Sequence, residues 1–536
     1  MVFNNKKTFY FFSLFEASPE SGVQNFIHLH ESSCRMGKIK EQTIQGTIFS
    51  YLGVLLGFLI SGLFMPRFFS TAQNGLINLL IAWSGLFAQF ATLGFGNATG
   101  RLFSWFRDEK TNHHGFSALT LIVGLAGFAL AWIVLIVFRE NIIRTKDGGI
   151  SILADYFFFL IPLIFFTSFY LLFDVYFKML YRTVVGTFLK EFLLRIFILL
   201  ALLLFYFGWI DFRGFVVAYV IANCLPAFIM FAMLIFQRQI SLKPDWHFIS
   251  REMARALVSM SFFGVIVGFS NVLVLSADRI MVEKLIGIDA AGIYSITFFF
   301  GTLVVIPARS LRKIAGTMLA EAWKNKDNRT IEDIYAKSIV NQLLIGTLIF
   351  IGLWSNIHNV FEILPKEYES GKWVIFFVAL AGLVEMSSGV SEILVQTSAY
   401  YRFSAVLNGL FLIFVIGFNY LFISIFGLMG AALANVVAYL LTNSIRYGFL
   451  YRKLGLRPFR PTHLLVLLSG LVVYFLAELL PPLKPFILDI FIRSSTITLI
   501  FTLLAYKLRL SEDVNQTIDG LLLQIQKHFQ KPKPLE

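Results

Sequence analysis

Long apolar runs follow one another along almost the whole chain, and each is about as long as a bilayer requires. A helix needs about 20 apolar residues to cross the hydrocarbon core. At this length the sequence contains about fourteen candidate spans. They lie near 44–65, 75–97, 116–138, 150–174, 186–207, 212–236, 256–277, 290–308, 338–356, 373–395, 403–425, 428–450, 462–480 and 486–507. The sequence therefore predicts an all-α polytopic membrane protein.

The composition agrees with lipid as the surrounding solvent. Charged residues make up 14% of the chain and hydrophobic residues 57%, whereas soluble domains carry roughly 25% charged residues. The two longest connections, 237–255 and 309–337, are too short to fold as separate domains. A membrane glycosyltransferase or polymerase would need a sizeable loop bearing catalytic side chains, so the sequence does not favour an enzyme.

Basic residues are distributed unevenly between alternate loops. With the N-terminus inside, one set of loops holds about thirty-two Lys and Arg and the other about ten. Because cytoplasmic loops concentrate these residues, we expect both termini in the cytoplasm and a multi-pass protein of the inner (plasma) membrane. The net charge of +13 then follows from topology, and no nucleic acid partner is needed to explain it.

Cysteine and histidine give no sign of a metal site. Cys34 lies before the first apolar run and Cys224 lies inside another, so we expect neither a disulfide nor a cysteine-based metal site. His113 and His114 are adjacent in a hydrophilic connection, which we interpret as a solvated loop. We therefore expect neither a metal nor a bound cofactor.

A short pattern recurs at an offset of about 211 residues. SYLGVLLGF begins at Ser50 and SFFGVIVGF begins at Ser261, and a looser match follows in the same order, with GFVVAYVIAN from Gly214 and GAALANVVAY from Gly430. Helices one to six and seven to twelve therefore look like two copies of one unit. Because six is even, both copies enter the membrane in the same direction. We expect a pseudo-twofold axis along the membrane normal and a working site between the halves.

This repeat sets the predicted domain boundaries. An N-terminal cytoplasmic extension, of which 1–35 is either a loose segment or an upstream misassigned start, precedes two six-helix bundles, and two extra helices follow them. The segments are 1–43 (extension), 44–236 (first bundle), 237–255 (cytoplasmic linker), 256–450 (second bundle), 451–507 (two extra transmembrane helices) and 508–536 (cytoplasmic tail).

Motifs in the second half resemble those of a known superfamily. They are SADR from Ser276, LIG from Leu285, AGIYS from Ala291 and GLMGAALANVVAY from Gly427. In these motifs the chain resembles the polysaccharide-exporter branch of the multidrug/oligosaccharidyl-lipid/polysaccharide (MOP) superfamily, which includes Wzx-type flippases of lipid-linked oligosaccharides. The resemblance implies a V-shaped pair of bundles that open alternately to the two sides of the membrane.

Several apolar runs contain charges, although a charge at the bilayer centre costs about 2.5–3.5 kcal/mol on insertion scales. Lys190, Glu191 and Arg195 lie in the fifth run. Glu191 and Arg195 are four residues apart, so they share a helix face and can pair. Asp174 and Lys178 have the same spacing at the end of the fourth run. Pairs of this kind are also consistent with a role in packing alone.

Other charges lie in the first, seventh and tenth runs. Glu385 is near the centre of the tenth run and has no basic residue three or four positions away. It must therefore face a water-filled cavity, find a partner on another helix, or be protonated. Arg67 and Arg279 lie at the predicted outer ends of the first and seventh runs, where snorkelling to the interface would explain them equally well.

The resemblance implies a substrate whose phosphate and sugar groups cannot cross hydrocarbon unaided. Basic side chains in a water-filled cleft would hold the phosphate. The candidates for this role are Lys190, Arg195, Arg67 and Arg279. The candidates for ion coupling are Glu385, Glu191 and Asp278. No Gly-rich phosphate loop marks an ATP site, so we expect the energy to come from an H⁺ or Na⁺ gradient, from the membrane potential or from downstream consumption of the product.

The predicted function is that of a flippase, which moves a lipid-linked oligosaccharide or polysaccharide precursor to the outer leaflet by alternating access. The expected partners are a lipid-linked pyrophosphate oligosaccharide, the bilayer and other membrane proteins of polysaccharide assembly. Two alternatives remain open at this point. They are a multidrug or cation antiporter of the same fold and a flippase for a peptidoglycan precursor.

Overall fold

In the computed structural model, the described residues are 45–529 apart from 109, 146–148, 242 and 458–459. The predicted extension 1–43 lies outside them. Within the described residues the chain is built from helices, and its only extended pairing is one isolated bridge between Arg144 and Ile150. The predicted all-α class is confirmed.

The helices of the first half run as follows. They are α1 Gln45–Phe68, α2 Thr71–Ala91, α3 Phe95–Phe106, α4 His113–Val137, α5 Phe157–Met179, α6 183–206 and α7 Phe212–Phe236. The helices of the second half are α8 Arg251–Leu285, α9 Ile288–Gly301, α10 Ile306–Lys324, α11 Asn328–Ser355, α12 Lys372–Met386, α13 Ser391–Thr397, α14 Tyr401–Phe426 and α15 Leu428–Leu454. The C-terminal helices are α16 Pro461–Glu478, α17 Phe486–Lys507 and α18 Glu512–Phe529. Short helical turns occupy Arg139–Ile143, Ile357–Ile363 and Lys366–Gly371.

The number of spans differs from the sequence prediction. Within the described residues, 12 helices are long and apolar enough to cross a membrane, and the number rises to 13 when the pair bent by 48° at the end of α12 counts as one span. The remaining predicted run, 186–207, is helical too, but α6 carries Lys190, Glu191 and Arg195 within one bilayer thickness. The predicted count of fourteen is therefore not confirmed, because charge interrupts the hydropathy of α6.

Side-chain caps fix where several helices begin. The Ser70 hydroxyl accepts a hydrogen bond from the Gln73 amide, and the Gln73 side chain accepts one from the Ser70 amide, so α2 starts with a capping box. The Asp211 and Ser250 side chains accept backbone hydrogen bonds at the starts of α7 and α8. Each cap satisfies an amide that helix geometry leaves without an intrahelical partner.

Both halves interrupt their second helix, and the interruptions match in position. α2 ends at Ala91 and α3 begins at Phe95, with Gly94 between them in the left-handed conformation (φ 67°). α9 ends at Gly301, a 3-10 turn follows, and α10 begins at Ile306. Phe95 and Ile306 are separated by the offset of the repeated sequence pattern. The matched interruptions are consistent with the predicted repeat.

The two halves meet closely at one end of the molecule, where α2 crosses α9. A methyl group on Gly292 would collide with the carbonyl oxygen of Thr71, and one on Gly75 would collide with that of Ile288. The Thr71 hydroxyl also donates a hydrogen bond of 2.5 Å to Asp289. We call this region the closed end. The distribution of basic residues predicts that the closed end faces outward.

Further side chains bridge the halves at the closed end. The buried Asn74 amide donates a hydrogen bond of 3.0 Å to the Tyr368 hydroxyl. Lys284 at the end of α8 donates to the carbonyl oxygens of Ile142 and Arg144, at 2.7 and 2.8 Å. The Lys284 bonds join the second half to the loop between α4 and α5, so the closed end is held by polar bonds as well as by close helix packing.

The long helix α8 connects the halves farther from the closed end. Gly264 and Gly268, which belong to the second copy of the repeated pattern, lie against α2 and the turn after it. A methyl group on Gly264 would collide with the carbonyl oxygen of Gly94, and one on Gly268 with the side chain of Gln89. Nearer its C-terminus, α8 packs on α9 and α14 of its own half.

The linker between the halves is docked on the first half. The His114 ring stacks on Phe248 with their centroids 3.7 Å apart. Its Nδ1 lies 3.3 Å from the Asp245 carboxylate, and this hydrogen bond lowers the pKa of Asp245. The loop that the sequence predicted to be solvated at His113 and His114 is therefore an anchoring point for the linker.

The two C-terminal spans pack on the second half through apolar and polar contacts. Side chains of α16 and α17 share an apolar cluster with α11. Asp489 of α17 is buried and lies 3.3 Å from Arg493 and 2.9 Å from His358. It also accepts a hydrogen bond of 2.5 Å from Asn359. The predicted tail, 508–536, begins with the helix α18 as far as the described residues extend.

We expect Gly292→Ala to open the closed end, because the added methyl group overlaps backbone atoms that no rotamer change can move. Overpacking of this kind costs about 1–3 kcal/mol, which corresponds to a rise in the open population of about fivefold to a hundredfold. The measurement is the rate at which an impermeant maleimide labels Ser295→Cys, in a chain lacking Cys34 and Cys224. Ser295 is 3% exposed.

Gly417→Ala is the matched control, since nothing lies within 4 Å of a methyl group at Gly417. The labelling rate with Gly417→Ala should equal that of the parent protein. If Gly292→Ala also left the rate unchanged, the close contact between α2 and α9 would not hold the end closed.

Candidate functional site

Arginine side chains from both halves gather around Tyr219 of α7. The Tyr219 hydroxyl interacts electrostatically with Arg195 of α6 and Arg279 of α8. Arg195 in turn is repelled by Arg309 of α10. The Arg195 side chain is 26% exposed, and Arg309 is exposed. We call Arg195, Arg279, Arg309 and Tyr219 the cationic cluster, and the space between the halves that it faces the cleft.

Glycines of α1 make room for the Arg195 guanidinium. Its Nη1 donates a hydrogen bond to the Gly53 carbonyl oxygen, and a methyl group on Gly57 would collide with it. Its Nη2 lies 2.8 Å from the Glu191 carboxylate, so the i, i+4 ion pair forms. A guanidinium has five N–H donors, and these two contacts leave others for a further anion.

The charged segment of α6 is not an ordinary α-helical turn. Lys190 and Glu191 lie in the π-helical stretch Phe188–Leu193. A second π-helical stretch, Phe58–Phe64, lies in α1. π-helical turns are rare and occur frequently at functional sites. Both stretches belong to helices that flank the Arg195 guanidinium, and no hydropathy pattern in the sequence signals them.

Lys190 lies beside the cationic cluster but is partnered differently. Its ammonium is 5.3 Å from the centroid of the Tyr170 ring, a cation–π contact. The Tyr170 hydroxyl donates a hydrogen bond of 3.2 Å to the Gly186 carbonyl oxygen. Glu191 attracts the Lys190 ammonium and Arg195 repels it. The structure therefore brings Lys190, Glu191 and Arg195 together on α6.

Arg279 and Arg67 occupy different surroundings. The Arg279 guanidinium lies 5.5 Å from the centroid of the Phe298 ring and interacts with Tyr219 of the other half, so it faces the cleft. Arg67 is exposed, and its Nε donates a hydrogen bond of 3.1 Å to the Ile363 carbonyl oxygen. Arg67 thus bridges the halves at the closed end and does not join the cationic cluster.

Asp278 lies in a buried polar network within the second half. It is 3% exposed. One carboxylate oxygen accepts hydrogen bonds from the Tyr294 hydroxyl (2.8 Å) and the Asn435 amide (2.6 Å). The other accepts one from the Asn419 amide (2.8 Å). These donors come from three other helices, α9, α14 and α15, and all are neutral. The Asn419 Oδ1 atom is buried without a hydrogen-bond partner.

Glu385 finds a partner on another helix. Its Oε1 lies 2.5 Å from Nη2 of Arg312 on α10, and the two side chains are 18% and 22% exposed. The helix that carries Glu385 breaks directly after it, with Gly389 at φ 59° between α12 and α13. Of the explanations that the sequence left open for Glu385, the structure selects a cation on a neighbouring helix.

Several polar residues of these sites were missed by sequence reasoning. Tyr219, Asn419 and Asn435 are single polar groups inside apolar runs, which was the available signal. Arg309 and Arg312 are visible in the sequence as a basic group at the end of the eighth run, but only the packing of α10 separates them from an ordinary interfacial cluster. Within the described residues, no group of three or more His, Cys, Asp and Glu side chains has the arrangement of a metal site.

Comparison with protein families decides the class of the chain. Residues 43–316 match the model of a family described as polysaccharide biosynthesis protein. The chain belongs to this family. The matched residues include the first half, the linker, the helices α8 and α9 and the first part of α10. The resemblance to the polysaccharide-exporter branch of the MOP superfamily is thereby confirmed.

Solved structures share the fold of this polysaccharide biosynthesis protein. One is described as the lipid II flippase MurJ in an inward closed conformation, with a TM-score of 0.68 at 14% identity, covering 88% of this chain and 99% of the other. Another is an inward-facing MATE family multidrug resistance transporter of the MOP superfamily, with a TM-score of 0.60 at 14% identity, covering 76% and 94%. A third is a mutant form of the Vibrio cholerae MATE transporter VcmN, with a TM-score of 0.51 at 15% identity, covering 78% and 98%.

A comparison with curated protein sequences gives no match. At these identities the structural neighbours show the fold alone. Together with the family match, they make the chain a multi-pass membrane transporter of the MOP superfamily.

We expect Asp278→Ala to destabilise the protein, because it leaves three buried donors without their acceptor. The loss should be about 1–3 kcal/mol or more, measured as a lower midpoint of thermal unfolding in detergent. Asp333→Ala is the matched control. Asp333 is 58% exposed and pairs with Lys337 at 2.8 Å, and such surface pairs contribute about 0–1 kcal/mol. Equal midpoints for the two variants would contradict the network as a structural element.

Proposed function

We propose that this transporter is a flippase that moves a lipid-linked oligosaccharide or polysaccharide precursor from the cytoplasmic to the outer leaflet. The observation that carries the proposal is the cationic cluster. Arg195 and Arg279 come from different halves and both interact with Tyr219, Arg309 interacts with Arg195, and Arg195 and Arg309 are accessible to solvent. Family membership among polysaccharide biosynthesis proteins supports the same class of substrate.

The cluster suits a pyrophosphate better than an organic cation. Guanidinium groups bind phosphate oxygens through parallel N–H donors, and such charge-assisted bonds are about twice as strong as neutral ones. Arg195 and Arg309 repel one another across the cleft. An anion between them removes that repulsion, so the two halves are drawn together by the phosphate itself. A cationic drug would be repelled from the same position.

Aromatic rings near the cluster supply surfaces for sugar rings. Phe298 lies against Arg279. Phe58 of α1 lies 6.3 Å from Phe299 of the other half. The lipid tail stays in the bilayer while the phosphate and sugars cross in the cleft, because each unpaired polar group would cost a few kcal/mol in hydrocarbon.

The contacts between the halves support a mechanism of alternating access. Hydrogen bonds of Thr71, Asn74 and Lys284 hold the closed end, which is outward in the proposed topology. The transition breaks these bonds and separates α2 from α9. Both termini then lie in the cytoplasm and the chain lies in the inner membrane, as the loop charges predict. The bilayer and other membrane proteins of polysaccharide assembly are the proposed partners.

We propose carboxylates as the coupling sites, with an H⁺ or Na⁺ gradient or the membrane potential as the source of energy. The hydrogen-bond partners of Asp278 are neutral, and its carboxylate also attracts the Arg279 guanidinium, so a cation bound there would compete with Arg279 for the carboxylate. Glu191 and Glu385 are each paired with an arginine at the cleft. Moving one charge across the membrane is worth about 2.3 kcal/mol per 100 mV.

A peptidoglycan-precursor flippase is the second candidate. The structural match to MurJ covers 99% of the MurJ chain and has a TM-score of 0.68. Both candidates share a lipid-linked pyrophosphate, so the cationic cluster does not separate them. A multidrug or cation antiporter shares the fold but would require an acidic cleft.

The deciding measurement is the amount and sidedness of lipid-linked oligosaccharide in a deletion strain. We expect the precursor to accumulate on the cytoplasmic face and wild-type protein to relieve the accumulation. Arg195→Ala, expressed at the wild-type level, should lose at least about tenfold in rescue, because a hydrogen bond between charged groups is worth about 1.5–3 kcal/mol.

Arg329→Ala, which removes an exposed cation away from the cleft, should rescue fully. Accumulation of a peptidoglycan precursor instead would select the second candidate. Absence of any accumulation, together with sensitivity to cationic dyes, would point to an antiporter. Full rescue by Arg195→Ala would keep the flippase and return Arg195 to a role in packing.

A further inference from the structure

The break between α12 and α13 encloses a small polar pocket. Its volume is about 30 Å³, which is enough for a water molecule. The residues that matter here are Arg312, Glu385, Glu392, Tyr439, Asn443 and Arg446. Glu385 lies at the end of α12, and its ion pair with Arg312 crosses from α12 to α10.

Charge in this pocket is balanced, with two arginines and two glutamates. Arg446 is buried, and its Nη1 lies 3.0 Å from Asn443 Oδ1. Glu392 and Glu385 both attract the Arg446 guanidinium. Tyr439 interacts with Glu385 and Arg312. Tyr335 on α11 interacts with Arg446. If Arg312 withdrew, two carboxylates would share one arginine in a nearly enclosed space.

Arg312 lies one helical turn from the cationic cluster. Arg309 and Arg312 are three residues apart on α10, so they share a helix face. Arg309 is exposed, and its guanidinium repels that of Arg195. A change of rotamer would therefore be needed to move the Arg312 guanidinium from Glu385 toward an anion held by Arg309 and Arg195.

The first half has no equivalent arrangement among its described residues. At the repeat offset, Arg101 corresponds to Arg312 and Asp174 corresponds to Glu385. Asp174 pairs with Lys178 of its own helix at 2.5 Å, and Arg101 is exposed. The cross-helix pair in the second half is therefore not a by-product of the shared helix arrangement.

We propose that Glu385 is the partner of Arg312 when no substrate is bound, and that the substrate phosphate replaces it in this role. We call Glu385 in this role the place-holder. When a pyrophosphate diester enters the cleft, Arg312 leaves Glu385 for the phosphate, and Glu385 takes up a proton from cleft water. When the substrate leaves, the proton is released and the ion pair re-forms. Proton binding and substrate binding therefore promote one another, as linkage requires. This inference rests on the proposed function, because it assigns Arg312 to the same phosphate.

The test is calorimetric titration of the full-length protein in detergent with UDP-glucose. This soluble pyrophosphate diester carries no titrating phosphate near neutral pH. Heats measured in Tris and HEPES, which differ in ionisation enthalpy, give the number of protons taken up on binding. We expect about one proton per UDP-glucose for the wild type and none for Glu385→Gln.

Affinity gives an independent readout. Glu385→Gln frees Arg312 in advance, so it should bind UDP-glucose about tenfold more tightly, and Arg312→Gln added to it should cancel the gain. Glu385→Asp keeps the charge but shortens the reach, so it should bind more tightly and still take up a proton. Glu385→Asp is the variant to use for the affinity test if Glu385→Gln does not fold. Asp174→Asn, the matched control, should change neither quantity.

The outcomes separate the two proposals. Binding to the wild type without proton uptake, or weaker binding by both Glu385 variants, would overturn the place-holder and leave the flippase intact. Loss of binding in Arg195→Ala would show that the probe occupies the cleft. No binding to the wild type would overturn the place-holder and the cationic binding site together.

Discussion

A charge inside a membrane must have a partner or water, and the architecture of this transporter depends on how each charge meets that requirement. Leaving one alone at the bilayer centre costs about 2.5–3.5 kcal/mol on insertion scales. Lys178 and Asp174 satisfy one another on one helix, whereas Arg312 and Glu385 do so between helices. Arg195 pairs with Glu191 through Nη2, and other N–H groups of its guanidinium take no part in that pair. Where partners do not suffice, the charge must reach water, as the exposed Arg309 does.

The two halves use the same pattern for different purposes. In the first half, Gly53 and Gly57 receive the guanidinium of Arg195. In the second, Gly264 and Gly268 receive the backbone and side chains of the opposite half. One copy of the pattern thus accommodates a side chain of its own half, and the other forms a contact between the halves. The two copies can differ in this way because a glycine only leaves space beside the helix, and the neighbouring element determines which atoms occupy that space.

Features that depend on one helix were predictable from the sequence, and features that depend on packing were not. The apolar runs predict the helices, and the spacing of Asp174 and Lys178 predicts their pairing, because helix geometry alone decides both. The partners of Asp278, by contrast, come from three other helices, and no spacing along the chain relates them. Arg67 and Arg279 looked alike in the sequence, and only the crossing of α2 and α9 assigns one to the closed end and the other to the cleft.

The π-helical stretch Phe188–Leu193 has a consequence for how relatives of this chain should be aligned. A π-helical turn contains an extra residue compared with an α-helical turn. Each residue of an α-helix advances about 100° around the axis. A relative without this turn would need a gap in the middle of a helix, where alignments seldom allow one. Without that gap, Lys190 and Arg195 could not both be matched to their true counterparts, and a basic residue facing the cleft would be compared with one facing lipid.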